Sequence, residues 1–150
     1  MKKFLGFQQE EFKELNENII GVGIDIEPIS RFKNIFSIIN SGRLNKLFYP
    51  SEIEYCKSSH FPERELAKFW CLKEATVKAF SGICELNIFD VEIKNLYPVS
   101  VIFHSKDEII TNENYKIYAS FSIAERIVIA ISILELSKFT INVSYVDSQI

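Results

Sequence analysis

The chain has 150 residues, 47% of them hydrophobic and 13% aromatic, which is enough apolar material for one compact domain, 1–150, with a real core. A net charge of −3 argues against general nucleic-acid binding, which needs a strongly basic surface, so any anion site must be local. Cys56, Cys71 and Cys84 are odd in number and hold no C-x-x-C pair, so neither a disulfide framework nor a zinc knuckle is indicated, and no run approaches the roughly 18 apolar residues of a membrane span. The basic start "MKKFLGFQQEEF" reaches charged and amide residues too early for a secretory segment, and the expected setting is a soluble protein in a reducing cytoplasm. Cys56 and His60, four apart, could share a helix face, but two ligands make a poor metal site.

In chain order, Gln8 to Glu17 reads as a short amphipathic helix with Phe12 and Leu15 inward. In "IIGVGIDIE", Ile20, Val22, Ile24 and Ile26 alternate with Gly21, Gly23, Asp25 and Glu27, the period-two signature of a strand with one face buried. Asp25 and Glu27 then project from the same face. After Pro28, "ISRFKNIFSIIN" has helical spacing, closed by "SGR" at Ser41 to Arg43. "YPSEIEYCK" offers another helix start, with Ser51 as N-cap and Glu54 completing a capping box. A long helix follows from Pro62 to Phe80 and is stopped by Ser81-Gly82. Beyond it, "FDVEIKNL", "PVSVIFH", "YKIYASFSI" and "RIVIAISILEL" read as strands, and the tail from Lys138 as an edge strand or a frayed end. Helices first and antiparallel strands later make the fold class α+β, an antiparallel sheet packed against a long helix.

Charged side chains stand where the long helix should be apolar. At about 100° per residue Leu66, Phe69, Trp70, Val77 and Phe80 form one stripe, with Lys73 inside it and Glu74 and Lys78, one turn apart, along its edge. Lys73 could snorkel past Trp70 to water, Glu74 and Lys78 could form a surface pair, and Asp25 and Glu27 could be the solvated face of an edge strand. Alternatively Asp25 and Glu27, about 7 Å apart along the strand, could share a hard cation with Glu74 as third oxygen ligand. Magnesium suits such a site, because it keeps waters and takes phosphate oxygens. Lys73 and Lys78 would then neutralise phosphate charge, and Gly21 and Gly23 would let a ligand approach the strand. His60 and His104 read as structural.

"GVGIDIEPISRF", "LFYPSEIEYC" and "FWCLKEATVKAF", in that order, resemble the 4′-phosphopantetheinyl transferase superfamily, whose signatures are a G-[IV]-D strand and a W-x-x-K-E-x-x-x-K helix. The likeness runs through "FDVEI" and "YASFSIAERIVIAIS", roughly residues 21–133. It implies magnesium-dependent transfer of the 4′-phosphopantetheine group of coenzyme A to a serine of an apo acyl or peptidyl carrier protein, releasing 3′,5′-adenosine bisphosphate. Carried over by motif position, it implies Asp25, Glu27 and Glu74 as metal ligands and Lys73 and Lys78 at the coenzyme A pyrophosphate. Glu74, directly or through a metal-bound water, is implied as the base, and Arg31 faces the carrier protein. Carriers of this kind present an acidic helix, for which Arg31 and Lys33, with Arg43 and Lys46, are the local basic patch.

The length resembles the small holo-acyl-carrier-protein synthase branch, which implies a homotrimer with sites at subunit interfaces, whereas "DIE" and "FW" lean towards the larger two-repeat branch. Tyr118 and Ile123 stand where that family commonly has histidines, and the loop after the long helix keeps only Gly82 of its glycines. Two other classes use the same residues: a non-catalytic α+β interaction module that binds a carrier protein, and another magnesium-dependent phosphoryl-transfer enzyme.

Overall fold

The computed structural model describes residues 18–34, 46–104, 106, 110–111 and 113–137. The helix expected over 8–17, most of the helical run after Pro28, Arg43 and the tail from 138 lie outside the described residues. Strand β1 (Ile19–Pro28) leads into a 3-10 turn (Ile29–Phe32), then helices α1 (Pro50–Ser58) and α2 (Pro62–Phe80). A second 3-10 turn (Ile88–Asp90) opens strands β2 (Val91–Leu96), β3 (Val99–Phe103), β4 (Tyr115–Ala124) and β5 (Ile127–Leu136). Among the described residues all pairings are antiparallel, and the strands divide into a three-stranded sheet of order β1-β5-β4 and a separate β2-β3 pair. The α+β class therefore holds, with two sheets where one was expected.

Helix α2 is the central element. Pro62 supplies a fixed φ at its first turn, Glu63 and Glu65 sit at its positive end and Lys78 in its last turn, all favoured by backbone geometry and dipole. Leu66, Phe69, Leu72 and Phe80 are buried along it, each contributing about 1.5–3 kcal/mol on removal from water. Phe80 packs edge-on against Phe103 and Tyr115, at ring-centroid distances of 5.3 and 5.2 Å, joining α2 to β3 and β4. On the side facing β5, the Thr76 and Ser132 hydroxyls share a buried hydrogen bond of 3.0 Å.

The face of β1 that is buried is the one without aliphatic side chains. Gly23, Asp25 and Glu27 turn inward against α2, while Val22, Ile24 and Ile26 are 55%, 54% and 59% exposed. The reason lies in the backbone. A Cβ at Gly21 would stand 2.0 Å from the Ala79 carbonyl oxygen, and one at Gly23 would stand 1.9 Å from that of Ala75. Only hydrogen fits between strand and helix at these two positions, so the expectation that the glycines admit a ligand is corrected: they admit α2 itself. The outward isoleucines meet those of β5 across the register pairs Ile24 with Ile131 and Ile26 with Ile129.

Helix α1 begins one residue before the expected cap. Pro50 is its first residue, and Glu52, not Glu54, reaches back to accept the Tyr49 backbone N–H at 2.8 Å. Ser51 is released from capping and donates to Glu92 at 2.8 Å. The other Glu52 oxygen accepts the Ile93 N–H at 2.8 Å, and Lys73 of α2 closes the arrangement at 2.8 Å from Glu52. Lys73 also donates to the Val91 carbonyl at 2.7 Å and the Leu47 carbonyl at 3.3 Å, with its ammonium over the rings of Tyr49 and Phe48. This ion pair is sealed from solvent, and burial pushes the Glu52 carboxyl up and the Lys73 ammonium down, each against the pull of the other.

Two expected outcomes follow from these contacts. Gly23→Ala should cost about 3 kcal/mol, the upper end for overpacking because the obstacle is backbone, and urea unfolding would measure it. Lys73→Met should cost about 3–5 kcal/mol by stranding a buried carboxylate, and adding Glu52→Gln should recover most of that loss. A cost below about 1 kcal/mol for Lys73→Met alone would mark the lysine as a solvated surface residue instead.

Candidate active site

Because β1 touches α2 through its glycines, the next two side chains on that strand face, Asp25 and Glu27, lie against the following stretch of helix surface. Residues four apart on α2 share a face, so Trp70, Glu74 and Lys78 stand in one row along the strand. Asp25 is buried; its Oδ1 accepts the Lys78 ammonium at 2.7 Å, and its backbone carbonyl accepts the Cys71 thiol at 3.2 Å. Its other oxygen, Oδ2, is buried and has no hydrogen-bond partner among the described residues. A carboxylate oxygen in that condition costs free energy unless a cation or donor reaches it.

Glu74 is only partly buried, yet burial first, and then the negative charge of Asp25, pushes its carboxyl above the usual range, with Lys78 pulling the other way. The hydrogen bond to Asp25, foremost, and the surrounding carboxylates push the Lys78 ammonium up, and half of that side chain remains open to solvent. Two crowded carboxylates, one with an unsatisfied buried oxygen, form a hard-oxygen donor set that fits a divalent cation such as magnesium. Among the described residues no three Asp, Glu, His or Cys side chains converge as a metal cluster, so the expected set of three ligands is not assembled.

The expected third ligand, Glu27, has other partners. Its Oε1 accepts the Trp70 indole N–H at 3.1 Å and is also paired with the Arg31 guanidinium. The expected role of Lys73 meets a geometrical obstacle as well: neighbours on a helix point about 100° apart, so Lys73 faces α1 while Glu74 faces β1. Lys73 neither snorkels to water nor reaches the carboxylates, and its ammonium is taken by Glu52.

Cys71 lies beneath the site, but burial, reinforced by Asp25, pushes its thiol up to about 12, which removes it as a nucleophile. His104 pairs with Glu92 at 2.7 Å and stacks on Tyr49, and His60 is exposed, so neither approaches the carboxylates. Arg31 and Lys33 are exposed beyond the end of β1, and Lys33, Phe61, Arg64 and Arg126 border a groove of about 390 Å³. Tyr118, hydrogen-bonded to Glu135, lies on the outer sheet face. Sequence reasoning missed Glu52 and the bond from Trp70 to Glu27. Pro50 was the signal for the first, since a helix beginning there puts Glu52 at its third position.

A family model described as the 4′-phosphopantetheinyl transferase superfamily matches residues 21–132. The holo-acyl-carrier-protein synthase of Clostridium kluyveri is 33% identical over 125 residues, covering 80% of this chain and 92% of that protein. That of Trichlorobacter lovleyi is 42% identical over a shorter stretch, 44% of this chain and 56% of the relative's length. Among solved structures, the Helicobacter pylori holo-acyl-carrier-protein synthase in complex with coenzyme A superimposes with a TM-score of 0.59 at 26% identity, covering 76% of this chain and 99% of that one. With the strand and helix motifs meeting in space as well as in sequence, the chain belongs to the 4′-phosphopantetheinyl transferase superfamily.

Proposed function

We propose that this chain transfers the 4′-phosphopantetheine group of coenzyme A to a serine of an apo acyl carrier protein, and that Asp25, Glu74 and Lys78 carry the reaction. The observation that carries the assignment of residues is the buried, unpartnered Asp25 Oδ2 beside Glu74, in a chain whose family moves a phosphate-linked arm. Magnesium held by Asp25 and Glu74, with water and pyrophosphate oxygens as its remaining ligands, would neutralise charge on the leaving adenosine bisphosphate. Lys78, half exposed and one turn from Glu74, can offer its ammonium to a phosphate oxygen while still facing Asp25.

The serine hydroxyl is a weak nucleophile and must lose its proton as it attacks phosphorus. Glu74 is assigned as the base from its place in the helix motif shared with the family and at the site's partly open edge. Most of the rate comes from holding the hydroxyl and the pyrophosphate in line among these charges. The carrier approaches from the side of Arg31 and Lys33, where local basic charge offsets a net charge of −3. The working place is the cytoplasm, in keeping with free Cys56, Cys71 and Cys84 and with no described helix long and apolar enough to cross a membrane.

The outer face of the three-stranded sheet supports a homotrimer. Val22, Ile24 and Ile26 of β1 adjoin Ile127, Ile129 and Ile131 of β5, and no described element covers them. A contiguous aliphatic face on a twisted sheet is the kind of surface that identical copies bury against one another.

Three measurements test these readings. Incubated with coenzyme A, magnesium and a panel of apo acyl and peptidyl carriers, the protein should add one phosphopantetheine to a carrier by intact mass. Asp25→Ala and Glu74→Ala should each reduce transfer at least about 100-fold with the fold kept, while Lys78→Ala weakens coenzyme A binding in calorimetry. Near-normal turnover by either carboxylate variant at saturating magnesium would remove the residue from the mechanism. For assembly, light scattering should give three times the chain mass, and Ile24→Glu with Ile131→Glu should yield monomers; a fully active wild-type monomer would reject the shared-interface site.

A further inference from the structure

We propose that Glu27 is a positioning residue that fixes Arg31 against Trp70 for carrier binding, and is not a ligand of the metal. The Glu27 side chain is 8% exposed, and its Oε1 is shared by two donors, the Trp70 indole N–H at 3.1 Å and the Arg31 guanidinium. Arg31 is 54% exposed, yet its guanidinium carbon lies 5.5 Å from the Trp70 ring centroid and 5.9 Å from that of Phe32. A long cationic side chain on the surface is ordinarily free to sample many rotamers. Here one buried carboxylate oxygen anchors it and two aromatic faces hold it by cation–π attraction, with the planar fork left to present its remaining donors outward.

Metal ligation by the same carboxylate has to compete with donors already in place. Oε1 of Glu27 is held by the Trp70 indole N–H and the Arg31 guanidinium together, whereas at Asp25 one donor takes Oδ1 and Oδ2 is left for a cation. The geometry agrees, since Asp25, Glu27 and Glu74 do not converge as a cluster of three. Charge along the seam between strand and helix is thus divided in two. Asp25, Glu74 and Lys78 form the half that suits a metal and phosphate, and Glu27, Trp70 and Arg31 form a half that presents a fixed cation.

What a preorganised guanidinium fork recognises is a carboxylate, which it binds through two parallel hydrogen bonds. On the transferase reading, on which this part rests, the carboxylate belongs to an acidic helix of the carrier. Because Glu27 is two residues from Asp25 on one rigid strand, a carrier seated on Arg31 is registered directly to the reacting centre. A fork held in place beforehand loses less freedom on binding, so the anchor improves affinity for the carrier without touching it.

Trp70 is the sole tryptophan of the chain, so its emission reports this contact without turnover. Glu27→Gln and Trp70→Phe should each raise the apparent KM for apo carrier about 3- to 10-fold, with kcat at saturating carrier and the magnesium concentration for half-maximal rate changed less than about twofold. Arg31→Ala combined with Glu27→Gln should be no worse for carrier KM than Arg31→Ala alone, as expected of groups acting as one unit. In the free protein Glu27→Gln and Arg31→Ala should both shift the Trp70 emission and its acrylamide quenching, and added magnesium should leave the wild-type emission unchanged. A magnesium requirement raised tenfold by Glu27→Gln and unmoved by Arg31→Ala, or a Trp70 emission shifted by magnesium, would make Glu27 a ligand and overturn the proposal. Additive effects on carrier KM would overturn it as well. If the wild-type protein modifies no carrier, the transferase reading fails, and the Trp70 emission of wild type and variants, with and without magnesium, still decides the role of Glu27. Should Glu27→Gln fail to fold, Trp70→Phe and Arg31→Ala carry the comparison.

Discussion

The site depends on a contact between backbones. Gly21 and Gly23 lie so close to the Ala79 and Ala75 carbonyls that the smallest side chain would collide with helix α2, and this proximity determines everything placed further along the strand. Asp25 and Glu27 continue the same face by the two-residue period and therefore meet the row of Trp70, Glu74 and Lys78, whose spacing of four keeps them on one side of the helix. Hydrogen bonds from Cys71 to the Asp25 and Val128 carbonyls, and between Thr76 and Ser132, hold the helix in that register against both β1 and β5. An acidic site built on a strand and a helix in backbone contact is stiff, as chemistry by positioning and charge requires.

Charges buried in this small molecule divide by how fully they are answered. Glu52 accepts from Tyr49, Ile93 and Lys73, and Lys73 donates to two carbonyls besides, so every polar group there has a partner and the pair joins α1, α2 and β2. Glu65 and Lys68 form a second buried pair at 2.6 Å, on the part of α2 nearer its start. At Asp25 the answer is incomplete: Lys78 satisfies one oxygen, and no described residue satisfies the other. A fold that satisfies its buried charges elsewhere and leaves one carboxylate oxygen open holds that cost where a ligand can relieve it.

Turning the glycine face inward has a consequence on the other side of the sheet. Three aliphatic residues of β1 and three of β5 are left facing out, an arrangement that a small isolated domain would ordinarily avoid. The acidic face and the aliphatic face are opposite sides of one strand, so whatever covers the isoleucines also steadies the backbone that carries Asp25.

Alternation in "GVGIDIE" was enough to put Asp25 and Glu27 on a common face, and the spacing of "WCLKEATVK" was enough to put Trp70, Glu74 and Lys78 in one row, because both are consequences of local periodicity. The same local rules read α2 from Pro62 to Phe80 and the later strands to within a residue or two. They could not tell which face of β1 is buried. Apolar content favours the isoleucines, whereas the packing is governed by how close two backbones can come, a property of the pair of elements. Nor could they assign Lys73, since its partner Glu52 is 21 positions away on another helix, and a lysine in an apolar stripe reads the same whether it meets water, phosphate or a buried carboxylate. Glu27 shows the limit most clearly: its residue type suits a metal, and only the tertiary arrangement brings the Trp70 indole and the Arg31 guanidinium to one of its oxygens, because both contacts depend on how strand and helix meet.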